Sequence, residues 1–469
     1  MTNRIRFTAV AGGLALVLLS ACGGSSSSSS GGNQPGTAKY MGGDGIVDDQ
    51  FFTDSGDSGN GSYATIAAPQ PDRLDSAKKF VSDYKAKYNT DPGSYSANAF
   101  DGMNVILNAA KQAIVSNGGT LPSNLKGFRE SVRKNVASTQ LDGAIGKTTF
   151  DQNGDTTNVL LTLKVGKSKA WAYSDTVKTS LPSGSASPSG SAAPSGSATP
   201  SASLAPSASP TSARRAVRGD ISSCTGAVTV ASDLPTSGGD ASVGKPTQDG
   251  AQLAIDQATA SKLLGGCTIT YIPKDDASVA LGKHDPAQGA ANISELAANP
   301  AVVGVVGPFN SNVALNELPI ANRANLTLIS PSNTNPGLTI VGSNPDIQTA
   351  TLKPTGVTTY FRVCTTDIGQ GKALAESAYN KLNLRKAYII DDSETYGKGL
   401  ADQFSTFFQK LGGTIDKRQH LKGDTKDFKT QITEAQSDGV DLVFFGGTSS
   451  NGAGILRKQM VQQGLGTTN

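Results

Sequence analysis

The stretch Ser180–Ala213, SLPSGSASPSGSAAPSGSATPSASLAPSASPTSA, carries no charge and no aromatic residue, and its only large apolar side chains are Leu181 and Leu204. Such a composition cannot bury enough surface to offset the entropy of ordering it, so a disordered linker is expected, taken as 176–219. The linker leaves two segments, 38–175 and 220–469. The later segment reads like the start of an α/β domain, and the earlier one reads like its finish.

The N-terminus reads as a targeting signal rather than part of a fold. Arg4 and Arg6 precede the short apolar run Ala9–Leu19, and Leu19-Ser20-Ala21-Cys22 followed by glycines and serines resembles a bacterial lipobox. Residues 1–21 are then a lipoprotein signal peptide, Cys22 is the lipidated mature N-terminus and 22–37 is a flexible tether. An extracytoplasmic, lipid-anchored protein follows. The net charge of +3 and 17% charged residues argue against a nucleic-acid partner, and Arg214, Arg215 and Arg218 read as a solvated cluster at the linker end.

After the linker, apolar strands alternate with amphipathic helices. The strands are AVTVAS from Ala227, CTITYIP from Cys267, VVGVVG at Val302–Gly307, LTLIS at Leu326–Ser330, AYIIDD, and VDLVFFGG at Val440–Gly447. Helical spacing covers 248–263, 287–298, 315–324, 399–411 and 451–463. Continuous apolar strands of this kind form parallel sheets covered on both faces, with ligands at the strand carboxyl ends. The final helix should lead into another strand, and the candidate is Ala38–Gly45 at the other end of the chain. SYATIAA at Ser62–Ala68 is a further strand, followed by helices at 74–88, 96–115 and 125–136. Gly146–Phe150 and Val159–Val165 bracket Gln152-Asn153-Gly154-Asp155 as a β-hairpin. Asp151-Gln-Asn153-Gly-Asp155 mimics a calcium loop only loosely and reads as a turn.

Cys224 and Cys267 each open a strand-like run. If those strands are parallel neighbours, the two thiols come together, and an oxidising compartment favours a disulfide worth roughly 4 kcal/mol. Cys364 reads as a buried small hydrophobe. His284 and His420 are the only histidines, and neither has a catalytic neighbour in sequence. With no metal-ligand spacing and no nucleophile elbow, neither an enzyme nor a cofactor is indicated.

Several stretches together carry a family resemblance. They are Gly250–Ala254, Gly307-Pro308-Phe309-Asn310-Ser311, Ile329–Pro336, Phe361-Arg362-Val363, Asp391–Leu400, Phe444–Gly447 and Leu456–Gln459, with Gly42-Gly43-Asp44-Gly45, Ala77–Phe80 and Asp101–Val105 from the earlier segment. The chain resembles a type I periplasmic binding protein of the leucine/isoleucine/valine-binding group that feeds ABC transporters. The resemblance implies an α/β fold of two Rossmann-like lobes with parallel sheets, joined by a three-strand hinge. The order departs from the family: the segment like 220–466 there precedes the one like 38–175, so this chain reads as circularly permuted, with Gly466 running on into Ala38. A flexible connection from Thr176 to Gly219 spans roughly 35–40 Å, enough to cross a lobe. A domain-swapped dimer is the alternative to a monomer.

By the same resemblance, lobe 1 is about 220–358 with 70–136, and lobe 2 is about 364–469 with 38–68 and 137–175. The hinges lie near 359–364, 66–72 and 137–143. Ser311, Ser332 and Thr334 are placed on lobe-1 loops to hold an α-carboxylate, Tyr396 comes across from lobe 2, Asp44 pairs with an α-ammonium, and Asn333 and Thr448 complete the implied ligand-binding set. Two positions where the family often has tyrosine hold Val243 and Thr448, so the side-chain pocket differs. The implied ligand is an amino acid of branched-chain type or a similar small zwitterion, and the implied partners are ABC permease subunits. A ligand-sensing module that signals to a partner is the rival reading.

Overall fold

The computed structural model describes residues 38–179 and 221–467. The signal peptide, Cys22, the tether, the stretch Ser180–Ala213 and the arginines after it lie outside the described residues. Among the described residues, two large sheets organise the chain, one of five strands and one of seven.

The five-stranded sheet runs Tyr360–Arg362, Thr327–Ser330, Val302–Val306, Ala227–Leu234, Thr268–Asp275, with each neighbouring pair parallel. Its central strand, VVGVV, is buried along its whole length, as a strand covered on both faces must be. Helices Ser96–Ser116, Leu125–Ala137 and Ala241–Ala260 pack with it in one apolar cluster, and Pro286–Ala298 and Ser311–Arg323 contribute to another. Close packing there needs Gly250, because a Cβ would stand 2.0 Å from the Ser96 carbonyl oxygen. The helix Ala241–Ala260 begins seven residues before the expected Gln248. Gly244 and Pro246 hide its first turns from the apolar pattern.

The seven-stranded sheet runs Thr414–His420, Lys386–Asp391, Leu442–Gly446, Lys39–Gly42, Ser62–Ile66, Leu160–Lys167, Ala170–Lys178. The first five strands are parallel and the last two are antiparallel additions. Lys39–Gly42 fills the place after the final helix Ala453–Gln462: Lys39 pairs with Leu442, and the Tyr40 hydroxyl donates to the Ala453 carbonyl at 3.0 Å. A Cβ on Gly466 would lie 3.2 Å from the Ala38 carbonyl oxygen, so these two residues are neighbours in space.

Cys224 and Cys267 form a disulfide just ahead of the paired strands Ala227–Leu234 and Thr268–Asp275, where Ala227 stands opposite Thr268. Cys364 is buried. Two of the expected crossings between the sheets are held together by the Thr365 amide, which donates to the Ala67 carbonyl at 2.9 Å. The third crossing lies later than expected. Leu141–Gly143 pairs with Gly146–Thr148, and this hairpin is fixed to the first sheet's helices by the Asp101 carboxylate, which accepts the Ala144 and Ile145 amides at 2.8 Å each. The chain joins the seven-stranded sheet only at Leu160.

The hairpin expected around Gln152–Asp155 is therefore corrected. Only a single bridge, Phe150 to Thr156, flanks that turn, and the two strands pair elsewhere. The turn itself is present, with Asp151 Oδ1 accepting the amides of Asn153 and Asp155. Its Asp155 is buried and accepts from Arg362 Nε at 2.6 Å, while Arg362 also donates to the carbonyls of Asn333 and Asn335. Leaving a buried arginine without its carboxylate would cost about 3–5 kcal/mol, so this pair pins the turn to the end of the first sheet. The strand Ala170–Lys178 also runs through Thr176, Val177 and Lys178, residues that composition places in the linker.

Candidate functional site

Asp44 follows the strand Lys39–Gly42 at its carboxyl end and is buried. Three side chains donate to its carboxylate: Tyr95 at 2.5 Å to Oδ2, and Tyr396 at 2.8 Å and Gln370 at 2.7 Å to Oδ1. Burial raises its pKa, and these three donors pull against the rise. The Tyr396 hydroxyl also accepts the Gly45 amide at 2.9 Å, so Tyr396 is fixed at both ends of its hydroxyl. Thr448 sits in the same corner, where a Cβ on Gly45 would meet both the Tyr396 ring and the Thr448 methyl group.

A second buried carboxylate, Asp367, shares the Gln370 amide with Asp44, accepting it at 3.0 Å. Burial, followed by the Asp44 charge, pushes Asp367 up to about 8. The Thr334 hydroxyl lies against Asp367, and the Asp367 amide donates to the Thr334 carbonyl at 2.8 Å. The network thus runs from the expected loop residue Thr334 through Asp367 and Gln370 to Asp44 and Tyr396. The hydrogen-bond donors to these two buried carboxylates, Tyr95, Tyr396 and Gln370, are all neutral.

The other expected loop residues are turned into their own loop. The Ser332 hydroxyl and the Asn333 side-chain amide both donate to the Phe309 carbonyl, at 2.9 and 2.7 Å, and the Tyr360 hydroxyl donates to Asn333 Oδ1 at 2.9 Å. Ser311 opens the helix Ser311–Arg323 and is buried; its hydroxyl oxygen stands 3.5 Å from the Asn335 amide. Thr448 bonds Ser450, and Val243 is half-buried in the helix Ala241–Ala260.

The rims of the two lobes touch. Asn335 donates to the Thr395 carbonyl at 2.7 Å. Glu394, in the loop before the helix Thr395–Lys410, accepts from Lys283 at 2.5 Å, from Asn312 at 3.2 Å, and meets His284 Nε2 at 2.8 Å. The other ring nitrogen of His284 meets Asp240 at 2.5 Å. Burial disfavours a charged His284, but Asp240 and Glu394 outweigh it and hold the imidazolium at about 10. Burial likewise opposes charge on Glu394, and His284 and Lys283 outweigh it, bringing the carboxyl down to about 2. Lys283 also bonds the Asn451 side chain. Sequence reasoning missed Tyr95, Gln370, Asp367 and this latch. Glu394 lies two residues from Tyr396, so the DDSETYG stretch held a usable signal; the others come from elements far apart in the chain.

A family model described as periplasmic binding protein matches residues 227–468, just over half of the chain. An amino acid binding protein of Pseudomonas aeruginosa strain PAO1 is 30% identical over 231 residues, covering 49% of this chain and 56% of that protein. The Leu/Ile/Val-binding protein homolog 1 of Brucella abortus strain 2308 is 30% identical over 238 residues, covering 51% and 58%. The chain spans a little over half the length of these curated relatives. Among solved structures, a leucine-binding protein of Thermotoga maritima MSB8 is 26% identical with a TM-score of 0.38, covering 46% of this chain and 55% of that one. The family is one of extracytoplasmic, non-enzymatic solute binders. With its matched segment forming the whole five-stranded sheet and three strands of the seven-stranded one, and its earlier segment supplying the other four, the chain belongs to the periplasmic binding protein family.

Proposed function

We propose that this protein is the solute-binding lipoprotein of an ABC importer, held to the membrane through lipid on Cys22, and that it closes its two lobes around an amino acid or a similar small zwitterion. The Asp44 cage carries the proposal. A buried carboxylate at a strand's carboxyl end, oriented by Tyr95, Gln370 and Tyr396, is suited to an α-ammonium group. With Ser332 and Asn333 committed to the Phe309 carbonyl and to Ser330, Thr334 and the start of the helix at Ser311 are the positions left to hold the α-carboxylate. Closure is a hinge motion, and a ligand that touches both lobes shifts its equilibrium. The altered positions Val243 and Thr448 make the side-chain pocket unlike that of the group at large, so the ammonium and carboxylate grips define the ligand class better than its side chain does.

In the same reading the chain is a circular permutant and a monomer. The supporting observation is that Ala38 and Gly466 are neighbours while the strands that follow and precede them pair in register. The deciding experiment is a thermal-shift screen against all amino acids and small carboxylates, since a ligand of the folded state raises its melting temperature. A rise with one or a few zwitterions is expected. No rise with any of them, in protein shown to be folded, would overturn the ligand assignment.

A further inference from the structure

Away from the Asp44 site, three acidic side chains converge inside the first lobe. Asp233 is the penultimate residue of the strand Ala227–Leu234, Asp276 follows the strand Thr268–Asp275, and Glu317 lies in the helix Ser311–Arg323. All three are fully buried, and one oxygen from each lies within 4.8 Å of the others. The set is closed in by the neighbouring helix Pro286–Ala298, where a Cβ on Gly289 would come within 2.8 Å of Glu317 Oε1.

The carboxylates are also unpartnered. Among the described residues, both oxygens of Asp276, both of Glu317 and Oδ2 of Asp233 are buried without a hydrogen bond. The sixth oxygen, Asp233 Oδ1, accepts from the Asn292 side chain at 2.9 Å, and Asn292 is itself tied to the Asp275 carbonyl at 2.8 Å. Asn292 therefore aims Asp233 into the cluster. Asp233 and Glu317 face each other, a repulsive contact unless a proton or a cation lies between them. The nearest cations are committed elsewhere: Lys274 bonds Glu295 at 2.7 Å, and both ring nitrogens of His284 are engaged by Asp240 and Glu394.

We propose that Asp233, Asp276 and Glu317 form a structural site for one hard divalent cation of the calcium class. The donors are all oxygen, which suits calcium rather than a metal that seeks nitrogen or sulfur. Two oxygens bound to one calcium ion at about 2.3–2.6 Å stand no more than about 5 Å apart, so the observed spacing fits. Three carboxylates supply up to six oxygens, the lower end of calcium's coordination number of about 6–8, without requiring water in a dry interior. Magnesium prefers to keep several waters, for which this interior is poorly suited. The ion would cross-link two adjacent strands and the helix that starts at the candidate carboxylate-binding residue Ser311.

The test uses the full chain stripped with a chelator and returned to calcium or magnesium chloride at pH 8, with melting temperature and bound metal by elemental analysis as readouts. One calcium per chain and a saturable rise of several degrees are expected, with magnesium weaker. Asp276→Asn and Glu317→Gln, each checked for folding by circular dichroism, should both lose the calcium-dependent rise. Equal melting temperatures with calcium and with chelator, and no bound metal, would overturn the proposal and leave shared protons as what neutralises the cluster. A rise that persists in both variants would overturn it too, by placing the calcium elsewhere.

Discussion

His284 Nε2 and Glu394 Oε2 meet at 2.8 Å, one from each lobe. The contact is a charged one, because Asp240 and Glu394 together keep His284 protonated well above neutral pH. If the lobes close around a ligand as proposed, this contact adds an electrostatic component to closure. Removing Glu394 would leave Lys283 and His284 facing each other, 16% and 0% exposed at their side chains, without their shared counter-charge. Glu394→Gln should therefore favour the open form and weaken ligand affinity about 10-fold or more, in line with couplings of about 1.5–7 kcal/mol for close charge pairs at interfaces. Calorimetry on the variant and small-angle scattering of the ligand-free protein check this. Unchanged affinity would mean the latch is decorative.

The same histidine sets a pH dependence. Its folded value, about 10, lies above the ordinary 6.5, so its contribution to stability is complete below pH 6.5 and is lost as pH climbs toward 10. Glu394, lowered to about 2, contributes above its ordinary 4.5 and loses that contribution only as pH falls through 2. Melting temperature should accordingly decline from neutral to alkaline pH, and His284→Asn should flatten that decline. An identical alkaline slope in the variant counts against the charged latch.

Asp44 is the residue on which ligand recognition should depend most. Asp44→Ala is expected to reduce amino-acid affinity about 100-fold or more, since truncating one partner of a buried charge pair costs about 2–5 kcal/mol. The fold should survive, because the substitution removes an internal charge whose three donors are neutral. Isothermal titration with the best ligand from the screen is the measurement. Retained affinity moves the ammonium site elsewhere, with Asp367 the next carboxylate to examine.

The disulfide closes a loop with a sequence separation of 43 residues. The chain-entropy model values such a closure at roughly 4 kcal/mol. Replacing both cysteines by serine should lower the denaturant midpoint by a corresponding amount without changing ligand affinity. A variant as stable as the parent would show that the unfolded state is already constrained there.

Cleavage within 180–213 provides the strongest check on the chain order. Neither 38–179 nor 221–467 carries a complete sheet set, since the seven-stranded sheet draws strands from both. Each fragment alone should be unfolded or aggregated by circular dichroism, and mixing them should restore a cooperative melt. A stable, ligand-binding 221–467 fragment would rule the permutation out.

Much of the fold was legible because burial on both faces writes itself into sequence: VVGVV and LVFFG are apolar throughout, and both are central parallel strands. The strand Lys39–Gly42 was legible from what its surroundings lacked, a strand after the last helix. The strand Ala170–Lys178 was not, since it is an antiparallel edge with much of its surface exposed and carries no continuous apolar run. Within the site, Asp44 and Tyr396 stood out through their stretches, whereas Tyr95 and Gln370 are 275 positions apart by number and meet only through the fold. The acidic triad was invisible for the same reason: positions 233, 276 and 317 follow no ligand spacing, and only parallel strand order stacks them.

The pairing of Lys39 with Leu442 also governs how this protein reaches its folded state. During synthesis, Tyr40, Phe51 and Phe52 emerge long before the strand and helix that bury them. Such distant pairing slows folding and leaves apolar surface exposed meanwhile. The segment from Lys39 to Phe52 is thus expected to find its partners only once the residues from Leu442 to Gln462 are available to pair with it.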